Sequence, residues 1–286
     1  MSTMNESDPS CDSRQPVGNS HHMAGQTPGL QHCPTNAPFD PMLFEQLAKL
    51  EYGHYWFESR NRLITFLLRK HFSSARSMLE VGCGTGFVLQ AIQRDHPSWR
   101  LVGSELFEEG LHFCRTRMKN VELVQMDARQ ISFCNEFDVI GAFDMLEHVD
   151  EDRLVLQQFH DALRPGGGLL ITVPQHPCLW STADELAHHK RRYTRRRMRS
   201  LLDETGFRIE RMTSFVSILF PAMLLSRRLS HIRPKKATQD PLGDLKVSRT
   251  LNQCLRWLLE REVDLTELGI AFPFGGSLVT VARKTE

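Results

Sequence analysis

Cysteine pairs at metal-ligand or disulfide spacing are missing from this 286-residue chain. Its seven cysteines, at 11, 33, 83, 114, 134, 178 and 254, are odd in number, scattered and without one CxxC pair. That spacing argues against a zinc ribbon and a disulfide framework and fits a reducing compartment. An excess of charge is missing too: 35 Lys and Arg stand against 34 Asp and Glu, so any case for a polyanion partner is local. No basic stretch leads into an apolar run at the amino terminus, so no secretory signal is read there. The longest apolar stretch, 215–225, has 11 residues with Ser217 and Pro221 among them, against the roughly 20 that a spanning helix needs. These absences point to the cytoplasm. Large aliphatic and aromatic side chains are scarce from 1 to 38, where only Val17 and Leu30 occur, and residues 1–40 read as a disordered tail.

What is present is enough for one large core, at 41% hydrophobic and 24% charged residues. Residues 42–50 and 61–72 carry apolar positions at helical spacing, so 41–76 reads as a helical segment ahead of the first strand. From Ser77 strands alternate with helices: strand 77–81, helix 87–95, strand 100–104, helix 107–118, strands 121–125 and 137–143, helix 151–163, strand 167–173. This rhythm predicts an α/β, doubly wound, mostly parallel sheet covered on both faces. Thr194 opens a further helix ended at Gly206, strand 207–213 follows, and Ser277–Arg283 closes the chain as a strand. Residues 214–270, with an apolar segment at 214–225 and a helix over 247–260, read as a lid inserted into the domain at 77–286.

The run Glu80-Val-Gly82-Cys83-Gly84-Thr-Gly86-Phe87 leaves a strand and opens a helix, where glycines let backbone turn tightly and approach a ligand. A dinucleotide fingerprint would place its third glycine at 87, where this chain has Phe. The spacing therefore favours a nucleoside without a pyrophosphate. Glu105 closes the second strand, where an acceptor-only carboxylate can take both hydrogen bonds of a ribose diol. Asp127 follows the third strand, placed to accept from an adenine amine while Met126 or Ala128 packs on the ring. Leu106 and Phe143 complete the expected contacts.

Through EVGCGTG, Glu105, the Asp127 segment, FDMLEHV at 143–149 and LRPGGG at 163–168, the chain resembles the class I S-adenosylmethionine-dependent methyltransferases over about residues 55–213 plus the last strand. That resemblance implies a Rossmann-like seven-stranded sheet with an antiparallel last strand, S-adenosylmethionine as cofactor and S-adenosylhomocysteine as product. The block YWFESRNRLI together with FDMLEHV resembles the 3-demethylubiquinone O-methyltransferase group. There an arginine twenty residues before the first glycine holds the cofactor carboxylate, which implies Arg62.

Transfer to a hydroxyl needs an aligned nucleophile and a base, and the resemblance puts His148 at the acceptor pocket. Asp144, Glu147 and His148 stand at i, i+3 and i+4, one face of a helical turn. Relatives hold a divalent cation with a similar cluster, so these three are metal candidates beside an N-capping alternative. The run Asp184 to Tyr193 resembles a DExxGHxRRY block of a bacterial methyltransferase group, with His188 where that block has glycine. It implies His189 as a second catalytic candidate, and Arg192 and Tyr193 as acceptor-side residues.

Seven Lys or Arg and no acid occupy 190–199. This cluster suits an anionic acceptor, RNA phosphates or an anionic membrane, or it is a solvated helix face. The apolar segment 215–225, followed by Arg227, Arg228, Arg233, Lys235 and Lys236, is flanked as an interfacial helix is, while a buried lid helix is the plainer reading. Together they favour methylation of oxygen on a small or lipid-like acceptor, a quinone precursor for example, with peripheral contact at the inner face of a membrane. The alternatives are RNA methylation and a non-catalytic protein that binds S-adenosylmethionine.

Overall fold

All five residues of β1 (Ser77–Val81) are buried, as a strand covered on both faces must be. The computed structural model describes residues 39–232 and 242–285. The tail expected over 1–40 lies outside the described residues up to position 38, as do Arg233, Lys235 and Lys236. β1 pairs in parallel with β2 (Arg100–Glu105) on one side and β4 (Phe137–Phe143) on the other; β3 (Glu122–Gln125) continues past β2 and β5 (Leu163–Pro174) past β4. β7 (Ser277–Lys284) then inserts antiparallel between β5 and β6 (Phe207–Phe215), completing the order β3-β2-β1-β4-β5-β7-β6. This is the doubly wound, seven-stranded sheet with an antiparallel last strand that the motifs imply.

Helices cover both faces. On one, the apolar stripe of α2 (Tyr55–His71) is made by Leu63, Ile64, Leu67 and Leu68, which pack with Leu89 and Ile92 of α3 (Phe87–Asp95) and Leu111 of α4 (Glu108–Arg117). On the other, Val155, Leu156 and Phe159 of α5 (Asp152–Ala162) meet Met198 and Leu202 of α7 (Arg195–Glu204). Each such side chain contributes about 1.5–3 kcal/mol by leaving water. α2 starts where the His54 ring accepts from the Trp56 N–H at 3.3 Å, and Arg69, Lys70 and His71 sit in its last turn, where the helix dipole favours positive charge.

The apolar segment read over 214–225 divides. β6 runs to Phe215, Val216 turns the chain at a φ of +62°, and α8 (Phe220–Ile232) begins with Pro221 in its first turn, where a missing N–H costs little. α9 (Arg249–Glu267) is longer than the sequence pattern suggests because it packs along α2. Its buried Glu262 accepts hydrogen bonds from the Ser217 and Ile218 N–H groups, tying the two ends of the insertion together. Before α2, α1 (Leu43–Leu50) lies over the carboxyl ends of the strands. α6 (Thr182–Leu186) follows β5 and starts with a capping box between Ser181 and Asp184.

Candidate active site

β1 lies between β2 and β4, so the chain's crossovers leave it in opposite directions and a crevice opens at the carboxyl ends of the strands. A cavity of about 750 Å³ occupies it, within the ~300–1,000 Å³ common for small-molecule sites. The glycine loop forms one wall. Gly82, Gly84 and Gly86 hold φ values of +72°, +53° and +76°, which side chains resist. A Cβ at Gly82 would strike Met145 Cγ at 2.4 Å and one at Gly86 would strike Cys114 Sγ at 2.7 Å, whereas one at Gly84 meets only Phe44 at 3.7 Å. Gly84 therefore leaves space toward the cavity. Gly82, Cys83 and Gly84 line it; Gly86, expected among the cofactor contacts, does not, and its bareness serves packing against α4 instead.

Glu105 binds the loop to β2: one carboxylate oxygen accepts from the Gly84 N–H at 2.9 Å, the other from Leu106 and Phe107 at 2.8 and 3.2 Å. Burial pushes its pKa up against the pull of these bonds, and the residue lines the cavity. Glu80 is buried with Oε2 unpartnered. Burial, then the Cys114 thiol, push its carboxyl well above the usual range. Asp127 lines the cavity beside Ala128, but Arg129 grips both its oxygens, at 3.0 Å from Nε and 2.6 Å from Nη2, and lowers its pKa. Leu106 and Phe143 also line it.

Arg62 is not at the cavity. Its guanidinium reaches Asp264 at 2.6 Å and Glu267 at 3.0 Å and clamps α2 to α9. Two residues are about 200° around a helix, and the arginine that faces the cavity is Arg60. It is buried, pairs with Asp144, stacks 4.4 Å over the Trp56 ring and keeps a buried Nε without a partner. Counting back from the first glycine leads to Arg62 and not to Arg60 because spacing along the chain does not register which helix face meets the cavity.

Across the cavity His148 and His189 meet, their ring centroids 4.8 Å apart. His189 Nδ1 stands 2.9 Å from Asp184 Oδ1, and Arg192 grips the same carboxylate from Nε at 2.8 Å and Nη2 at 3.0 Å. Burial opposes the charge on Asp184, but the bonds from His189 and Arg192 outweigh it and hold the pKa at about 2. Asp184 and Arg60 stand inside the resembled blocks, at the start of the DExxGHxRRY-like run and in YWFESRNRLI, but the motifs assign them no role: nothing in sequence shows the grip of Asp184 on a residue eight positions away or the face that Arg60 takes on its helix. Arg192 lines the cavity; Tyr193 does not. Tyr193 is fully buried, donates to Asp152 at 3.1 Å and belongs to the core, a correction that follows from its side chain pointing to the opposite face of the segment. His188 keeps the left-handed conformation, at a φ of +58°, that suits the glycine of the resembled block.

Of the metal candidates, Asp144 is paired with Arg60. Among the described residues the ligand atoms that gather, all within 4.8 Å, are those of Glu147, His148 and His189, and Glu147 Oε2 is buried without a partner. These three are the residues that would hold a divalent cation. The basic run is largely spent on partners within the chain. Lys190 and Arg191 pair with Asp150 and Asp152, Arg192 with Asp184 and Arg197 with Asp152, while Arg195 binds the Met212 and Phe272 carbonyls. Arg196 and Arg199 are exposed and make no ion pair among the described residues.

A family model described as a methyltransferase domain matches residues 52–211, more than half of the chain. A protein of Mycolicibacterium smegmatis named as a probable S-adenosylmethionine-dependent methyltransferase is 24% identical over 160 residues, covering 55% of this chain and 61% of that protein. A ubiquinone biosynthesis O-methyltransferase of Pseudomonas paraeruginosa is 24% identical over 150 residues, covering 46% and 64%. The chain thus spans under two thirds of the length of these relatives. Among solved structures, phosphoethanolamine N-methyltransferase 2 of Haemonchus contortus, in complex with S-adenosyl-L-methionine, shares the fold at a TM-score of 0.54 and 17% identity, covering 86% of this chain and 59% of that one.

Proposed function

The chain belongs to the methyltransferase-domain family, and from that premise we propose that it transfers a methyl group from S-adenosylmethionine to an oxygen of a small or lipid-like acceptor. One observation carries the reading: a single cavity has the glycine loop with Glu80 and Glu105 on one side and the Asp184–His189 pair on the other. When bound, S-adenosylmethionine supplies a methyl on a sulfonium and leaves as S-adenosylhomocysteine. The bare Gly84 gives it room, and the orphaned Oε2 of Glu80 and Nε of Arg60 offer an acceptor and a donor for an amino-acid end. Glu105 takes the ribose hydroxyls and Asp127, with Ala128, the base. Cys83, Leu106 and Phe143 complete the walls.

His189 is the base in this reading. Asp184 accepts from its Nδ1, which leaves Nε2 to take the acceptor's hydroxyl proton as the oxygen attacks in line. His148, ring to ring with it, shapes the same end of the cavity. Arg192 keeps Asp184 ionised and so keeps the His189 tautomer. Pro174, Val216, Leu219 and Met223 make the acceptor side apolar, which supports a lipid or quinone precursor met at the inner face of a membrane.

The test incubates the pure protein with methyl-labelled S-adenosylmethionine and a host cell extract. Label in the organic-soluble fraction is expected. Label in the polar aqueous fraction would replace the lipid with a water-soluble metabolite, and precipitated label released by ribonuclease would overturn the acceptor in favour of RNA. Tight cofactor binding with no transfer to any fraction would make the protein a non-catalytic binder. On the acceptor so found, His189→Gln should lose at least about 100-fold in kcat while cofactor affinity, measured by calorimetry, holds.

A further inference from the structure

α8 is one wall of the cavity, to which it turns Met223, Ser226 and Arg227. Its other side is apolar as well. Leu225 and Leu229 are 58% and 55% exposed, and exposed Pro221 and Arg228 lie on the same stripe at spacings of three and four. A helix at the surface of a soluble protein ordinarily turns its apolar stripe to the core and its polar side to water; α8 does not. The patch continues beyond the helix. Ile218 is 39% exposed just ahead of α8, and Phe274, 48% exposed, holds its ring 5.3 Å from that of Phe220, which joins the turn before β7 to the helix.

Positive charge frames this patch. Phe220–Ile232 contains no acid, and Arg228 is exposed within it. On the far side, Arg195 donates to the Phe272 carbonyl at 3.3 Å, which brings the start of α7 against the same turn; Arg196 and Arg199 are exposed further along that helix.

We propose that this face docks on an anionic lipid bilayer, with Ile218, Leu225, Leu229 and Phe274 entering the headgroup layer and Arg196, Arg199 and Arg228 meeting its negative charge. The charge selects the partner: a second copy of the chain across a two-fold axis would set these guanidinium groups against one another, whereas anionic headgroups neutralise them. The inference deepens the proposed function, resting on it for purpose: with α8 against the bilayer, an apolar acceptor has one helix, rather than a layer of water, between the lipid phase and the cavity.

Sedimentation of the full chain with phosphatidylcholine vesicles, with and without phosphatidylglycerol, tests this. Binding is expected only with phosphatidylglycerol and is expected to weaken in salt. The Leu225→Glu/Leu229→Glu variant should bind roughly a hundredfold more weakly, and Arg196→Ala/Arg199→Ala about thirtyfold more weakly, both with S-adenosylmethionine affinity unchanged by calorimetry. Absence of binding by the native chain at low salt, or binding by both variants equal to that of the native chain, overturns the proposal. So does a dimer in light scattering that the leucine variant abolishes, which would assign the face to a second copy. Failure of the native chain to bind S-adenosylmethionine would defeat the proposed function and leave the vesicle result standing.

Discussion

His189 Nδ1 lies 2.9 Å from an Asp184 carboxylate that Arg192 grips by both oxygens. Three residues from a loop and a five-residue helix are thereby tied together, and the histidine's outer nitrogen is left for the cavity. An aspartate whose folded pKa lies below its unfolded value stabilises the fold at neutral pH and loses that contribution as pH falls through the folded pKa. With Asp184 at about 2 against an ordinary 3.8, the contribution is ~2 kcal/mol and disappears between about pH 4 and pH 2. Asp184→Asn should cost about that much at pH 7 and flatten the acid limb of stability, read by denaturant unfolding across that range.

Arg60 and Arg62 should part company. Arg60→Ala removes a buried guanidinium that faces the cavity and is expected to weaken S-adenosylmethionine binding at least about tenfold. Arg62→Ala breaks the clamp to Asp264 and Glu267, costs about 1 kcal/mol of stability and leaves cofactor affinity alone. Calorimetry and thermal unfolding on the two variants separate these outcomes; equal affinity losses would contradict the assignment.

Gly84→Val puts a branched side chain into open space toward the cavity at a φ of +53°. Cofactor affinity should fall at least about 100-fold, with a stability cost of about 1–2 kcal/mol from the left-handed backbone. Normal affinity in a folded Gly84→Val protein would remove the cofactor site from this loop.

His188→Gly should stabilise the protein. The native φ of +58° strains a histidine and suits glycine, a gain of about 1–2 kcal/mol reduced by ~0.5–1 kcal/mol from the greater freedom of glycine in the unfolded chain. The midpoint of thermal unfolding is expected to rise slightly, with no change in cofactor affinity.

Strand and helix order was legible because hydrophobic period is a local signal: β1, α3, β4 and β7 lie where the alternation puts them, and positive φ at Gly82 and Gly84 follows from a strand that must turn into a helix. The helix at 182–186 was not, since five residues are too few to show a period, and the lid helix expected within 215–225 runs instead from 220 to 232, since an apolar run with apolar residues on both sides does not mark its own ends.

The amino-acid sequence by itself determined the alternation of elements, the glycine loop and the acids at the ends of the strands, because these depend on neighbours along the chain. Only the tertiary structure decided which side chains face the cavity. It chose Arg60 over Arg62 by helix phase, sent Tyr193 to the core, brought Asp184 to His189, and left Leu225 and Leu229 in the open. Those choices depend on the direction in which each Cβ leaves its element and on what packs opposite it, and neither quantity is carried by spacing along a chain.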